Sequence, residues 1–224
     1  MCNDTTGYEN MEKERMYPDY IREAQTAYQR TGDPALGRFL AKKQGEYTIE
    51  DYYALPEECR VELIDGVIYN MGAPTRRHQA IAGEIYYLLK NFIRKQKGMC
   101  RVYIAPLDVQ LDRDIYTMIQ PDVFVICREN QKFDRVVDVV PDLAVEVISP
   151  SSSRKDRGIK YKKYRDAGVR EYWVVDPYLK LVTVHLFAKG TDAETYSFLE
   201  EIPVEIFGGK YKLSLAELMK EEDL

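Results

Sequence analysis

Two short runs constrain this chain most: Val123-Phe124-Val125-Ile126-Cys127 and Leu143-Ala144-Val145-Glu146-Val147-Ile148. Each is nearly continuous in apolar residues and too short for a helix. That is how a strand reads when both faces of its sheet are covered. The chain must therefore build a central sheet with structure on either side. Glu146 breaks the second run, and a carboxylate buried there without compensation is costly. It needs a cation, a metal or a proton, and the alternative to a functional role is a structural ion pair with a lysine or arginine.

The rest of the pattern fits around those strands. Tyr17, Tyr20, Ile21, Ala24, Ala27 and Tyr28 fall at helical spacing, Thr31-Gly32-Asp33-Pro34 ends that helix, and a second short one surrounds Leu36, Phe39 and Leu40. Thr48-Ile49-Glu50-Asp51 reads as a capping box, and Asp65-Gly66 between Val61–Ile64 and Val67–Met71 reads as a hairpin turn. Ile81, Ile85, Leu88, Leu89 and Phe92 mark a long helix from Thr75 to about Lys97. Residues 102–111 alternate as one half-buried strand, and Ser151–Gly168 reads as a basic helix capped by its serine run. Strands at 172–175 and 181–187 and a closing helix at 213–219 complete the expected order. The fold expected is α/β, a mixed central sheet flanked by helices, with an N-terminal helical extension. The expected division is a tail and extension at 1–46, a core at 47–190, and a segment at 191–224 packing on that core.

Composition narrows the chemistry. Four scattered cysteines, with no Cys-x-x-Cys spacing, support neither a zinc site nor a disulfide framework. With only two histidines, His78 and His185, any metal must be held mainly by carboxylates, which favours hard cations such as Mg²⁺ or Mn²⁺. A net charge of −5 argues against a non-specific nucleic-acid coat, yet seven of the twelve residues from Arg154 to Arg165 are basic. No apolar run is long enough to span a membrane, and the N-terminus has no signal-peptide pattern, so a cytoplasmic protein is expected.

Several polar positions stand out. Asp122 follows Pro121 at the start of its strand; taken alone, Pro-Asp reads as a turn, but together with Glu146 it makes two strand-end carboxylates that can converge on one ion. Asp156, Lys160 and Tyr164, four residues apart, share one face of the basic helix, where Lys160 either reaches the carboxylates or is one more solvated lysine. Glu62 lies in the first hairpin strand on the same side as Ile64. His78 lies on the sheet-facing stripe of the long helix and reads as a buried, hydrogen-bonded histidine.

Taken in order, Glu62-Leu63-Ile64-Asp65-Gly66, His78, Gln120-Pro121-Asp122, Glu146-Val147-Ile148-Ser149-Pro150-Ser151, Asp156, Lys160, Tyr164 and Glu171-Tyr172-Trp173-Val174-Val175-Asp176 resemble the Uma-type restriction-endonuclease family of the PD-(D/E)XK nuclease superfamily, over roughly residues 47–190. The resemblance implies a restriction-endonuclease-like core and an Mg²⁺- or Mn²⁺-dependent endonuclease acting on DNA, and it leaves open both a homodimer and a nuclease fold without catalysis. It implies catalytic roles for Glu62, Asp122, Glu146 and Lys160, with Asp122, Glu146 and the Val147 carbonyl as metal ligands. Arg154, Lys155, Arg157, Lys162 and Lys163 would contact phosphates. The chain departs from the superfamily at Ile148, where the superfamily lysine belongs; Lys160 would have to replace it from the next helix.

Overall fold

The computed structural model describes residues 18–111, 114–128, 136–150 and 152–220. The expected tail at 1–16, with Tyr17 and Ser151, lies outside them. The described residues form two compact units, one from 18–73 with 114–119, the other from the remainder.

The first unit opens with α1 (Asp19–Thr31), which buries Tyr20, Ala24 and Ala27 and stops where Gly32 turns left-handed at φ 65°. In α2 (Pro34–Leu40) the Asp33 side chain caps the Ala35 N–H at 2.8 Å. Phe39 on this helix stacks on Tyr47 at 4.8 Å. The capping box of α3 (Ile49–Ala54) forms as expected between Thr48 and Asp51. Strands β1 (Val61–Ile64) and β2 (Val67–Asn70) then pair across a turn whose central residues, Asp65 and Gly66, both have positive φ. Gly66 has no substitute, because a Cβ there would lie 2.5 Å from the Gly45 carbonyl oxygen. Residues 114–119 return to this hairpin, where Met118 and Leu63 exchange two backbone hydrogen bonds.

The second unit is built on a six-stranded sheet. Its strands are β3 (Arg101–Ile104), β5 (Val123–Ile126), β7 (Leu143–Val147), β8 (Glu171–Asp176), β9 (Leu181–His185) and β10 (Glu194–Ser197), in the order β10-β9-β8-β7-β5-β3. Only β7 and β8 run parallel. A parallel pair needs a crossover, which the basic segment supplies as α5 (Ser153–Lys155), a π-helical stretch (Asp156–Lys160) and α6 (Tyr161–Ala167). Its start is held by Ser149 and Ser152, whose hydroxyls each accept the other's backbone N–H, and Gly168 ends it in the left-handed conformation.

One sheet face buries Val123, Val125, Val145, Val147, Trp173 and Val175 against Ile81, Ile85, Leu89 and Ile93 of α4 (Arg76–Lys95). The C-terminal segment joins the same core through Ile202, Val204, Leu213 and Leu218. Here β11 (Ile202–Pro203) pairs with β12 (Lys212–Leu213). The opposite face carries Glu146 and Tyr172, in alternation with those core residues.

Three local expectations are corrected. The strand expected over residues 102–111 divides at Pro106, which has no N–H to continue a ladder; β4 (Asp108–Val109) then pairs with β6 (Val136–Val137) instead. The closing segment is a 3₁₀ turn at Ala216–Lys220 rather than an α-helix. And Cys100 is disulfide-bonded to Cys127. The β3–β5 register pairs Arg101 with Ile126, so these two cysteines are the next residues facing one another, 27 apart in sequence. Among the described residues no helix is long and apolar enough to cross a membrane.

Candidate active site

Glu146 is 3% exposed, on a β7 in which every residue is buried. The β5–β7 register pairs Val123 with Val145, and one further step sets Asp122 opposite Glu146. The two carboxylates predicted to converge therefore leave adjacent strands at the same level of the sheet. Asp122 is bound through backbone and side chain: its carbonyl accepts the Ala105 N–H at 3.0 Å, and its Oδ2 accepts the Val147 N–H at 2.8 Å.

The cations come from the two flanking helices. Lys160, in the π-helical stretch, is 3% exposed and places Nζ 2.9 Å from Glu146 Oε1 and 3.7 Å from Asp156 Oδ1. The reading of Lys160 as a solvated surface lysine is thereby overturned. One π turn inside an α-helix adds a residue to the turn and redirects the side chains around it. Tyr164, the next member of the predicted face, donates its hydroxyl to the same Glu146 Oε1 at 2.6 Å. Tyr172 on β8 ties the helix down through a hydrogen bond from its hydroxyl to the Asp156 carbonyl at 2.9 Å. Burial drives the Tyr172 phenol well above its usual pKa, and the charges of Glu146 and Asp156 add to the effect, so it stays a neutral donor.

His78 enters from the other helix, with Nε2 3.1 Å from Asp122 Oδ2. Thr75 caps that helix by accepting the His78 N–H at 3.2 Å. Burial alone would lower the imidazole pKa, but the hydrogen bond and charge of Asp122, with Asp156 beyond, outweigh it and hold the pKa above its ordinary value. The histidine is buried and hydrogen-bonded, as its stripe position implied. What sequence reasoning missed is that its partner is a candidate site carboxylate. The one available signal was its place in the first turn of a helix packed on that sheet.

The remaining candidates divide. Glu62 is fully buried in β1, paired across the hairpin with Tyr69, and belongs to the first unit rather than to the one that holds Asp122, Glu146 and Lys160. Arg154, Arg157 and Lys162 are exposed, and Lys155 and Lys163 are partly buried. Arg157 bonds Asp176 Oδ2 at 3.1 Å, which draws it to the end of β8.

Among the described residues no group of three or more His, Cys, Asp and Glu is placed to hold a metal. Asp122 and Glu146 are nevertheless the hard oxygen donors that Mg²⁺ takes, since it keeps several waters and needs only one or two carboxylates plus substrate phosphate oxygens. Both bonds to Asp122 fall on Oδ2, leaving Oδ1 outside them, while Lys160 and Tyr164 meet Glu146 at Oε1. The pair is held in orientation by these donors. As a stability device it is poor, since buried ion pairs are often matched by apolar side chains of similar size.

Known proteins resemble this chain in sequence and in fold. A protein of Synechocystis, itself described as uncharacterized, is 30% identical over 149 residues, covering 65% of this chain and 75% of the relative. A crystal structure from Anabaena variabilis, described as "a putative nuclease belonging to DUF820", superposes with a TM-score of 0.64 at 23% identity, covering 76% of this chain and 96% of that one. It shares the fold. The Uma2 family, described as "Putative restriction endonuclease", matches residues 49–216. With most of its length matched, the chain belongs to the Uma2 family.

Proposed function

We propose that this chain is a divalent-metal-dependent endonuclease that hydrolyses DNA phosphodiester bonds at Asp122 and Glu146. The observation that carries the reading is the juxtaposition of those carboxylates at one level of the sheet, with Lys160 buried against Glu146 in place of the lysine missing at Ile148. The family and the shared nuclease fold support it.

Asp122, Glu146 and the Val147 carbonyl would hold the ion, Mg²⁺ or Mn²⁺. Bound there, it would supply an acidified water and offset charge on the phosphate. The chain's own residues do the rest. Val147 N–H and His78 fix the Asp122 carboxylate through Oδ2, and Tyr164 fixes Glu146 through Oε1. The Lys160 ammonium, closed off from bulk water, is a positive charge held where a phosphate approaching the carboxylates gains negative charge, and such preorganised charge is worth most in a dry site. Exposed Arg154 and Lys162 would meet phosphates along the strand without reading sequence.

Supercoiled plasmid and Mn²⁺ titration calorimetry test this together. The wild-type chain should bind Mn²⁺ and cleave only when Mg²⁺ or Mn²⁺ is present. Asp122→Ala and Glu146→Ala should each lose both properties. Cleavage that survives in both variants would remove the assignment.

One observation favours a second reading, a nuclease fold that binds nucleic acid without cutting it. Glu146 already has a lysine and Asp122 already has a histidine, so both carboxylates have cationic partners before any metal arrives. In that case calorimetry finds no Mn²⁺ site while DNA binding persists.

A further inference from the structure

At the end of β8 the chain turns through Asp176-Pro177-Tyr178-Leu179-Lys180 into β9, and the tip puts two large apolar side chains into solvent: Tyr178 is 58% exposed and Leu179 is 66% exposed. Isolated exposed apolar residues are ordinary on any surface. Three features set this pair apart.

The turn is held rigid. Asp176 Oδ1 accepts the N–H groups of both Tyr178 and Leu179 at 3.0 Å, and Asp176 Oδ2 accepts from Arg157 at 3.1 Å. An exposed side chain on a fixed backbone loses little freedom when something docks on it. Second, the Tyr178 ring is already engaged by a cation, since the Arg77 guanidinium lies 5.4 Å from its centroid. A guanidinium beside an exposed aromatic ring is a pairing suited to a phosphate and the base it carries.

Third, both supports of the tip adjoin the carboxylate site. Arg77 directly precedes His78, which contacts Asp122. Asp176 directly follows Val175, which pairs with Val147, whose N–H binds Asp122. Tyr178 lies three residues past Val175, on the order of 10 Å of extended chain at roughly 3.4 Å per residue, a span that one or two nucleotides cover.

We infer that Tyr178, with Arg77 behind it, is a stacking platform for an unpaired nucleobase one or two nucleotides from the phosphate at the carboxylates. The inference rests on the proposed nuclease reading and deepens it, because it directs the site to single-stranded, frayed or flipped segments over continuous duplex. Base–aromatic stacking tolerates any base, so the platform selects strand state and not sequence.

The test uses the full chain in EDTA and single-stranded oligonucleotides that carry 2-aminopurine at successive positions, read by fluorescence. The wild-type chain should quench at one or two adjacent positions. Tyr178→Phe should keep that quenching; Tyr178→Ala should abolish it and weaken binding about tenfold. In Mg²⁺, Tyr178→Ala should raise KM for single-stranded substrate more than it lowers kcat. Binding and cleavage by the wild type with no stacked position, or with an unchanged Kd in Tyr178→Ala, would overturn the platform and leave the nuclease reading standing. A wild-type chain that binds and cuts no DNA would overturn both. A Tyr178→Ala change that converts a dimer to a monomer in light scattering would make the tip a self-contact and would also overturn the platform.

Discussion

Glu146 and Glu171 lie on the neighbouring parallel strands β7 and β8, both closed off from solvent, yet they are kept there by opposite means. Glu171 shares a face with Trp173 and the apolar core. Neutral donors hold it: Trp173 Nε1 to Oε1 and the Ile206 N–H to Oε2, each at 2.8 Å. Burial raises its pKa despite those bonds. Glu146 lies on the other face and meets a lysine and a tyrosine at a single oxygen. Burial of a carboxylate is therefore no mark of a site by itself. Glu171 has each oxygen taken by a backbone or indole N–H and serves to tie the C-terminal segment to β8. The environment of Glu146 is charged, and its lysine is shared with a second buried carboxylate, Asp156, which a structural tie does not require.

The largest effect should come from dividing the Glu146 pair. Lys160→Ala leaves a buried carboxylate without its cation and should lower stability by about 3–5 kcal/mol. Glu146→Leu combined with Lys160→Met should return the part of that stability lost through Glu146, with Asp156 still deprived of its lysine, while the chain remains unable to cleave. Denaturant unfolding followed by the sole tryptophan, Trp173, reports directly on this unit. If the triple variant that adds Asp156→Asn proves as unstable as Lys160→Ala, the pair is structural and the contrast with Glu171 disappears.

Glu171→Ala should have the next effect, by stranding two buried donors at about 1–3 kcal/mol each, with Mn²⁺ binding unchanged. Its pH dependence has a definite sign. The folded carboxyl is raised above the usual 4.5, so its contribution is fully present below that value and is lost as pH rises through the folded one. The gap in stability between the wild type and Glu171→Ala should therefore narrow across that window on raising the pH. A gap that widens would mean that the hydrogen bonds from Trp173 and Ile206 outweigh the cost of burying the charge.

The contrast also marks how far the amino-acid order could be read. Glu146 was legible because it interrupts an apolar strand, and Lys160 because Asp156, Lys160 and Tyr164 repeat at helical spacing. The hairpin and the capping box were local and formed as expected. Glu171 was less conspicuous, since a glutamate at the first position of a strand looks like an edge residue until Ile206 arrives from 35 positions away. The Cys100–Cys127 bond needs the β3–β5 register, which no spacing rule supplies. The pairing of residues 114–119 with the hairpin is of the same non-local kind. Local chemistry was readable, and contacts made by a distant segment were not.

The smallest effect concerns His78, the partner that the stripe on α4 did not reveal. Its imidazole is held above the ordinary 6.5 because the bond to Asp122 outweighs burial. The stabilisation from this pair is then fully present below about pH 6.5 and is lost as pH rises through the raised value. His78→Gln can still donate to Asp122 but cannot take up a proton. Unfolding midpoints measured from pH 6 to pH 9 should therefore fall less with pH in the variant than in the wild type. Equal slopes would mean that His78 stays neutral beside Asp122, and Lys160 would then be the cation that distinguishes this carboxylate pair from Glu171.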